Sequence, residues 1–509
     1  MLARVHGAGL QGIEAYFVDI EVDAPGRGLP GMNIMGLADT AIKESRGRVK
    51  SAIRNSGYSW PGGHVTVNLA PSNRKKEGAG FDLAIAMGIL SATSQVNASL
   101  LQRFCFLGEL SLDGTLRPAK GILPICMEMK ARGLKDIILP VANAKEAAAV
   151  SGISVWPART LGQCVQFLHD PSLLSPFAID LEEAFRRNST YPVDFSEVKG
   201  QAAAKRAIEV AAAGNHNILM IGPPGSGKTM LAKRIPTILP PMTLEQALEV
   251  TRIHSAAGTL RQDEGLIATH PFRAPHHTIS CAALAGGGNN PQPGEISLAH
   301  NGVLFLDELP EFHRDSLETL RQPLEEGSIR VSRTSGSHAF PAAFMLVCAM
   351  NPCPCGYYTD RSRACGCGTN KIHSYMGKIS GPLLDRIDIH IELAAVKYKE
   401  LVDTQPAEPS LAIKERVGLA RRIQRERFKG EPVIYNSRMD KQLLKRHCCL
   451  EAEAQELLRL AMTELGLSAR AYDKILKIAR TIADMAQAEN IGAEHMAEAI
   501  QYRNLDKNH

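Results

Sequence analysis

The fold of this chain is decided by the stretch Gly222-Pro223-Pro224-Gly225-Ser226-Gly227-Lys228-Thr229. It fits the pattern G-x-x-x-x-G-K-[ST] and lies between an apolar run at 218–221 and a segment at 230–233 that favours a helix. A phosphate-binding loop requires this context of strand, loop and helix. The glycines let backbone N–H groups turn inward around a polyphosphate. The stretch therefore predicts an ATP site in which Lys228 contacts the β- and γ-phosphates and Thr229 holds Mg²⁺.

A second stretch is expected to complete this site: Gly302-Val303-Leu304-Phe305-Leu306-Asp307-Glu308. Four apolar residues followed by two acids predict a buried strand that carries charge into the site at its carboxyl end. Such a string is weak evidence alone and becomes strong when it follows a phosphate-binding loop. Asp307 is expected to hold Mg²⁺ together with Thr229, and Glu308 to polarise the attacking water.

Length and composition limit the remaining possibilities. A chain of 509 residues is too long for one hydrophobic core and predicts about three domains. The formal net charge of +5 is too small to establish a nucleic-acid partner. The N-terminal residues lack an apolar signal core, and no run approaches membrane-spanning length, which predicts a cytoplasmic protein without a membrane partner. In that compartment the 11 cysteines indicate reduced thiols or a metal site.

Residues 1–170 are predicted to form a separate α+β unit. Two segments, 76–84 and 118–140, resemble the Lon protease domain, which has a ribosomal-S5-like fold. Gly80 stands where that family places its nucleophilic serine, and Leu123 where it places the partner lysine. Without nucleophile or base there is no Ser-Lys dyad. We therefore expect an inert, protease-shaped module that assists assembly or substrate docking, followed by a linker at 171–195.

Three polar residues resemble functional residues of the AAA+ class, in a core predicted at 196–396. Asn351 ends an apolar run where that class places its sensor-1 residue. Arg386, within 380–388, resembles the arginine finger that reaches the γ-phosphate of a neighbouring subunit. Arg470 resembles the sensor-2 arginine, and a helical lid at 400–509 is expected to place it over the nucleotide. A finger acting between subunits implies a ring, by resemblance a homo-hexamer.

The segment between Lys228 and Asn351 contains two further features. His276 and His277 could suggest a metal, but adjacent histidines point in different directions and no third ligand is evident, so a structural or subunit-contact role is preferred. Residues 327–340 read as strand, turn and strand, and resemble a pre-sensor-1 hairpin that grips DNA in a ring's pore. The candidates for DNA phosphate contact are Arg330, Arg333 and His338. The alternative is a surface hairpin that packs on its own subunit.

Two C-x-C pairs follow Asn351: Cys353 with Cys355, and Cys365 with Cys367. Four thiolates in Gly/Pro-rich turns can form a tetrahedral Zn²⁺ site, although C-x-C is tighter than the common C-x₂-C spacing. We predict a structural zinc that braces the segment between Asn351 and Arg386; the alternative is four unrelated reduced cysteines. Nearby basic residues are expected to add a positive surface: Arg361, Arg363, Lys371 and Lys378.

The helical segment 411–428 carries four arginines that could contact DNA, although a solvated helix face is the default interpretation. They are Arg421, Arg422, Arg425 and Arg427.

The order of these features resembles the ComM/YifB family, whose members are often labelled magnesium-chelatase-like. The resemblance extends over the whole chain and is carried by motifs at 271–278 and 380–386. It implies an α/β P-loop AAA+ core, preceded by the Lon-like unit and followed by the helical lid. It also implies a hexameric ATP-driven DNA helicase that promotes branch migration on single-stranded and branched DNA, during natural transformation and recombination.

Two alternatives to a DNA motor remain. The first is a chelatase-like AAA+ ATPase that remodels proteins and is indifferent to DNA. The second is an ATP-dependent protease, which Gly80 and Leu123 argue against.

Overall fold

The computed structural model describes residues 1–261, 263–288, 291–333, 336–358, 360, 363–395 and 407–503, without the side chains of residues 333 and 336. The predicted junction between core and lid at 396–400 lies outside the described residues, as do Arg361 and the side chain of Arg333.

The strands fall into two large sheets and three small hairpins. In chain order they are β1 (Leu2–Gln11), β2 (Glu14–Asp23), β3 (Gly31–Met35), β4 (His64–Ala70), β5 (Phe104–Phe106), β6 (Glu109–Leu110), β7 (Leu116–Arg117), β8 (Asp136–Pro140), β9 (Ser154–Ala158), β10 (Ile218–Ile221), β11 (Phe272–Arg273), β12 (Gly286–Gly287), β13 (Gln292–Pro293), β14 (Val303–Leu306), β15 (Ser328–Arg333), β16 (Gly336–Pro341), β17 (Met345–Met350) and β18 (Ile389–Glu392).

The helices surround the sheets, and among the described residues no helix is both long and apolar enough to cross a membrane. They are α1 (Thr40–Asn55), α2 (Asp82–Ala92), α3 (Ala98–Leu101), α4 (Ile122–Ala131), α5 (Ala144–Ala148), α6 (Leu161–His169), α7 (Leu181–Arg187), α8 (Ala202–Gly214), α9 (Lys228–Ile238), α10 (Leu244–Ala257), α11 (Cys281–Ala285), α12 (Glu295–Leu298), α13 (Arg314–Glu318), α14 (Arg321–Glu326), α15 (Thr369–Met376), α16 (Gly381–Leu384), α17 (Ser410–Arg427), α18 (Lys441–His447), α19 (Ala452–Glu464), α20 (Ala469–Met485) and α21 (Ala493–Gln501).

The N-terminal part of the chain forms a seven-stranded mixed sheet in the order β3-β4-β2-β1-β5-β8-β9. Strands β1, β2 and β4 pair antiparallel, while β5, β8 and β9 extend the sheet in parallel. Helix α2 is buried along its entire length because apolar residues occupy every side of it. It packs against β1 and β2 within one hydrophobic cluster and thereby organises the core of this unit.

The middle of the chain forms a five-stranded parallel sheet in the order β11-β14-β17-β10-β18. Strands β10, β14 and β17 are fully buried, as expected for a parallel sheet covered on both faces. Because the strands are parallel, their carboxyl ends lie along one edge of the sheet, where ligands bind in open α/β folds.

The C-terminal helices pack onto the same core. Helices α17, α18, α19, α20 and α21 share one hydrophobic cluster with α8, α9 and one face of the central sheet. The expectation that the arginines of α17 form a solvated face is wrong for two of them. Arg421 is buried and donates to the carbonyl of Ala212, and Arg427 forms an ion pair with the buried Asp484. Both therefore join helices within the chain.

The N-terminal unit contacts the core at helix α10 and at the β15–β16 hairpin. The N–H of Gly121 donates to the carbonyl of Ser255 over 3.1 Å, and the Ser255 hydroxyl donates to the carboxylate of Glu146. On the other side, Ile13 from the β1–β2 turn joins a hydrophobic cluster of the core that includes Phe340. Polar and apolar contacts thus both fix the N-terminal unit on the core.

Candidate active site

The phosphate-binding loop follows β10 and leads into α9, as the sequence predicts. Gly225 and Gly227 have φ values of +77° and +89°, in the left-handed region that favours glycine. A Cβ atom at Gly222 would lie 2.7 Å from the carbonyl oxygen of Leu393. The loop backbone therefore approaches its neighbours closely and ends at the first turn of α9, where N–H groups have no partners within the helix.

The Lys228 ammonium lies inside this loop. Its Nζ donates to the carbonyls of Gly222 at 2.7 Å and Pro223 at 3.0 Å, and to the Asn351 side-chain oxygen at 3.2 Å. Burial lowers the pKa of Lys228, and Asp307 opposes that shift. Since Asn351 follows β17, the adjacent carboxyl ends of β10 and β17 bring these two predicted residues together. The arrangement is a cationic cradle suited to a polyphosphate.

Thr229 and Asp307 also meet. The Thr229 hydroxyl donates to Asp307 Oδ2 over 2.7 Å, across the gap between α9 and the end of β14. A hydroxyl and a carboxylate beside a phosphate cradle are the oxygen donors that Mg²⁺ prefers. The donor set therefore fits Mg²⁺, and the cradle fits the phosphates of ATP.

Glu308 follows in a left-handed conformation with φ +54°. Its carboxylate Oε2 lies 3.2 Å from Nδ1 of His277, whose ring lies 4.1 Å from that of His276. Sequence reasoning assigned the histidine pair a structural or subunit-contact role and missed this contact with the predicted catalytic glutamate. The only sequence signal was the position of His277 shortly after the segment that forms β11, next to β14 in the sheet.

Arg386 and Arg470 lie close together at the opposite end of the sheet. Arg386 donates to the carbonyl of Pro382 over 2.6 Å and pairs with Glu325, while Arg470 donates to Asp385 Oδ2 over 2.6 Å. Asp385 and Arg386 lie just before the amino end of β18. The phosphate-binding loop lies just after the carboxyl end of β10, and the two strands are parallel. The four residues of β10 alone separate the two ends by roughly 13 Å.

Arg470 therefore lies away from the phosphate-binding loop of its own chain, and its place over a nucleotide stays a prediction. The physical reason for its position is the packing of α20. Lys474 on this helix donates to Asp388 Oδ1 over 2.6 Å, and Asp388 also contacts His216 at 3.2 Å. Burial would raise the pKa of Asp388, but Lys474 and His216 lower it well below its usual range. This network fixes the start of α20 beside the amino end of β18.

The hairpin candidates for DNA contact differ in placement. Ile329 and Val331 are buried while Arg330 is exposed, so the two faces of β15 alternate. His338 pairs with Val331 and thus shares the packed face, where its Nε2 is buried. Its Nδ1 would lie 3.5 Å from a Cβ atom at Gly12, in the N-terminal unit. For His338 the structure favours the alternative of a hairpin packed on its own subunit.

The four cysteines of the two C-x-C pairs come together between β17 and α15. Cys353 Sγ lies 3.3 Å from that of Cys355 and 3.7 Å from that of Cys365, and all four sulfur atoms, including that of Cys367, lie within 4.8 Å of one another. The cluster is compatible with a metal site of four sulfur ligands.

The N-terminal unit holds no such set of reactive groups at the positions compared with Lon. A Cβ atom at Gly80 would lie 3.9 Å from the Cβ of Ala119, and Leu123 is fully buried. The N–H of Leu123 donates over 2.9 Å to Oε1 of Glu146, the carboxylate that also accepts from Ser255. Around Gly80 and Leu123 the polar groups serve packing and contact with the core.

Comparison with known proteins gives consistent matches along the chain. Three family models match: "Subunit ChlI of Mg-chelatase" at residues 20–143, "Magnesium chelatase, subunit ChlI" at 194–401, and "Magnesium chelatase, subunit ChlI C-terminal" at 407–503. The chain is 43% identical to competence protein ComM of Haemophilus influenzae over 510 residues, covering 99% of this chain and 97% of the relative. It is 41% identical to YifB of Salmonella typhimurium, covering 99% and 98%.

A shorter similarity concerns proteases. The chain is 30% identical to Lon protease 2 of Bacillus subtilis over 166 residues, which cover 30% of this chain and 28% of that protein. It agrees with the Lon-like character of the N-terminal unit, and the parallel core and C-terminal helices agree with an AAA+ architecture. The full-length identities decide the classification: the chain belongs to the ComM/YifB family of magnesium-chelatase-like AAA+ proteins.

Proposed function

We propose that this protein is an ATP-driven motor that acts on DNA as a hexameric ring, promoting branch migration during natural transformation and recombination. ATP hydrolysis follows from membership of an AAA+ ATPase family. The observation that carries the ring is the separation of Arg386 and Arg470 from the phosphate-binding loop of their own chain. ATP, Mg²⁺ and one structural Zn²⁺ are the cofactors of this proposal.

Nucleotide binding is assigned to the loop at 222–229. Lys228 already donates to two loop carbonyls, so its ammonium is positioned to exchange them for phosphate oxygens. Thr229 and Asp307 would hold Mg²⁺, which neutralises phosphate charge when bound.

Water activation is assigned to Glu308. Its carboxylate would accept a proton from the attacking water, and Asn351, held by Lys228, would orient that water. His277 contacts Glu308 directly and would hold its carboxylate in place. These are roles for side chains that the structure brings to one edge of the sheet.

The transition state needs a cation in addition to Lys228, and among the described residues neither Arg386 nor Arg470 lies at the phosphate-binding loop of its own chain. Arg386 and Arg470 lie on one surface and would both reach the nucleotide of a neighbouring subunit. An arginine supplied across an interface stabilises charge on the transferring phosphoryl group. Contact between one subunit's loop and the next subunit's arginines is heterologous, and such contacts form a ring when the rotation between subunits closes.

The DNA part of the proposal is supported by the exposed Arg330 on the hairpin and by a relative named as a competence protein. A cationic side chain at a pore would contact the phosphates of single-stranded or branched DNA. The second candidate is a chelatase-like ATPase that remodels proteins without DNA. It is favoured by the three matching models, all of which carry the name of a magnesium-chelatase subunit.

The deciding experiment measures ATP turnover with no DNA, with single-stranded DNA and with forked DNA, alongside the oligomeric state in ATP and Mg²⁺. The DNA motor predicts stimulation by DNA and a hexamer, and Glu308→Gln should bind ATP but lose turnover. Turnover that ignores every DNA would favour the remodelling ATPase. A monomer in the presence of ATP and Mg²⁺ would contradict both the ring and the assignment of Arg386.

A further inference from the structure

The cysteine cluster contacts the nucleotide site, and this contact suggests a function for it. We propose that Cys353, Cys355, Cys365 and Cys367 bind one Zn²⁺, and that the metal holds residues 353–356 against the phosphate-binding loop so that the site can hydrolyse ATP. The coupling rests on the proposed ATPase function, whereas the metal site does not. The described residues 353–358, 360 and 363–367 are called the cysteine knuckle below.

The sulfur positions fit zinc better than disulfides. A tetrahedral site with Zn–S bonds of about 2.3 Å places its sulfur atoms about 3.8 Å apart. The described Sγ–Sγ distances of 3.3, 3.6 and 3.7 Å lie near that value. A disulfide requires about 2.05 Å, so these cysteines are thiols. Four sulfur ligands leave no open position, which makes the predicted metal structural.

The surroundings of the sulfur atoms also suit a metal site. Cys353 is fully buried, and the other three are partly exposed, so the site is shielded on one side and open to metal on the other. The N–H of Cys367 points to Sγ of Cys365 at 3.4 Å, and such donors stabilise the charge of metal-bound thiolates. A metal here would tie the end of β17 to the start of α15 and close the intervening loop.

The cysteine knuckle contacts the nucleotide site at two points. Cys353 lies two residues after Asn351, whose side-chain oxygen accepts from Lys228. Gly356, next to Cys355, is buried with φ +87°, and a Cβ atom there would lie 2.6 Å from Cδ of Pro224. The knuckle thus packs directly on the phosphate-binding loop. Loss of the metal would release both the Asn351 side and the Pro224 side of the cradle.

Metal analysis tests the site independently of nucleotide chemistry. Wild-type protein purified without chelators should contain about one zinc per chain, and Cys365→Ser and Cys367→Ser about one-fifth of that or less. Cys449→Ser removes an exposed thiol outside the knuckle and should keep the zinc. Wild-type protein that contains no zinc after growth with added zinc would overturn the site, whatever the ATPase result.

A glycine pair tests the coupling while leaving every sulfur in place. Gly356→Ala should keep its zinc but lose about tenfold or more in ATP turnover, because the new Cβ meets Pro224 and the left-handed backbone at φ +87° is unfavourable for alanine, so that residue 356 shifts against the loop. Gly366→Ala is the matched control in the same knuckle, since a Cβ atom there meets nothing within 4 Å. Circular dichroism confirms that both variants fold.

The outcomes separate the two proposals. If Gly356→Ala and zinc-depleted wild-type protein both hydrolyse ATP at wild-type rates, the coupling is overturned and the ATPase function stands. If wild-type protein holds zinc but has no ATPase activity, the proposed function fails. The coupling is then read from the affinity for a fluorescent ATP analogue, which Gly356→Ala must weaken relative to Gly366→Ala.

Discussion

The start of α4 in the N-terminal unit and the start of α9 in the core use the same local device. Each helix begins after a glycine in the left-handed region, Gly121 with φ +73° and Gly227 with φ +89°. The first N–H groups of a helix have no partner within the helix, and the helix dipole favours an anion near them. In α4 the acceptor is internal, because the N–H of Leu123 donates to Oε1 of the Glu146 carboxyl group.

In α9 we propose that the corresponding place takes a ligand. Lys228 donates to loop carbonyls, to the Ser226 hydroxyl at 3.5 Å and to Asn351, and none of the described carboxylates bonds to its ammonium. The start of α4 is thus satisfied by the protein itself, and we propose that the start of α9 is satisfied by the phosphates of ATP. Two helices that begin in the same way thus differ in function, because a site is defined by the groups that remain for a ligand and not by the fold alone.

The largest effect is expected at Lys228, at the start of α9, where we propose that the phosphates of ATP bind. Lys228→Ala removes the cation of the cradle and should abolish measurable ATP binding and lower turnover about a thousandfold or more. Lys233→Ala, on an exposed position of the same helix, should hydrolyse ATP within about twofold of the wild type. Equal activity of the two variants would contradict the assignment of the loop as the nucleotide site, and with it the proposed difference between the starts of α4 and α9.

The next largest effect on ATP turnover is expected at Arg386, which lies at the amino end of the core sheet, away from the phosphate-binding loop. Arg386→Ala should bind ATP within a few-fold of wild type but lose roughly a hundredfold or more in turnover, since its cation acts on the neighbouring subunit. Arg459→Ala, a matched control on a solvated surface, should leave turnover unchanged.

Mixing subunits sharpens this test. In a ring assembled from Lys228→Ala and Arg386→Ala chains, some interfaces join an intact loop to an intact arginine. The mixture should therefore hydrolyse ATP faster than either variant alone. A mixture no more active than its components would argue that Arg386 acts within its own chain.

A smaller effect is expected at His277. Removing its contact with Glu308 in His277→Ala should lower turnover about tenfold with little change in ATP affinity, because the carboxylate loses its neighbour but keeps its backbone position. His277→Asn, which can still donate a hydrogen bond, should recover part of the rate. Unchanged steady-state kinetics in His277→Ala would show that the contact is incidental.

The sequence predicts well which residues of the candidate nucleotide site lie close together. Lys228, Thr229, Asp307, Glu308 and Asn351 each lie at the carboxyl end of a strand, or in the loop or helix that follows it. The ends of parallel strands meet at one edge of the sheet. Local order along the chain therefore implies proximity in space, and the structure places these residues accordingly.

The remaining contacts depend on packing between distant segments, which no local pattern reports. His277 reaches Glu308 through a segment with little regular structure, and Arg470 is placed by the burial of α20 on the core. Arg421 reads as a surface charge within an arginine-rich helix, yet it is buried against α8. Strand alternation predicts that His338 lies on the packed face of the hairpin. Its neighbour Gly12, however, lies in the N-terminal unit, and no local pattern indicates that proximity.

The smallest effect is expected at the start of α4, where the chain supplies its own hydrogen-bond acceptor. Glu146→Ala would leave the N–H of Leu123 and the Ser255 hydroxyl without an acceptor, which costs about 1–3 kcal/mol in local stability. Glu146→Gln keeps a carbonyl oxygen for these donors and should cost less. Hydrogen exchange of α4 measures both changes, with the partly exposed Glu128→Gln on the same helix as the control.

The dependence on pH has a definite sign. Burial raises the pKa of Glu146, although Ser255 and the N–H of Leu123 oppose the shift. The folded state therefore holds this proton more tightly than the unfolded state, so the group stabilises α4 most at low pH and this stability is lost as pH rises through the folded pKa. Opening of α4, corrected for intrinsic exchange, should become easier from pH 5 to pH 8 in the wild type and depend less on pH in Glu146→Gln. The same pH dependence in both proteins would contradict this prediction, because it would mean that the Glu146 carboxylate is already ionised across this range and is an internal anion at the start of α4.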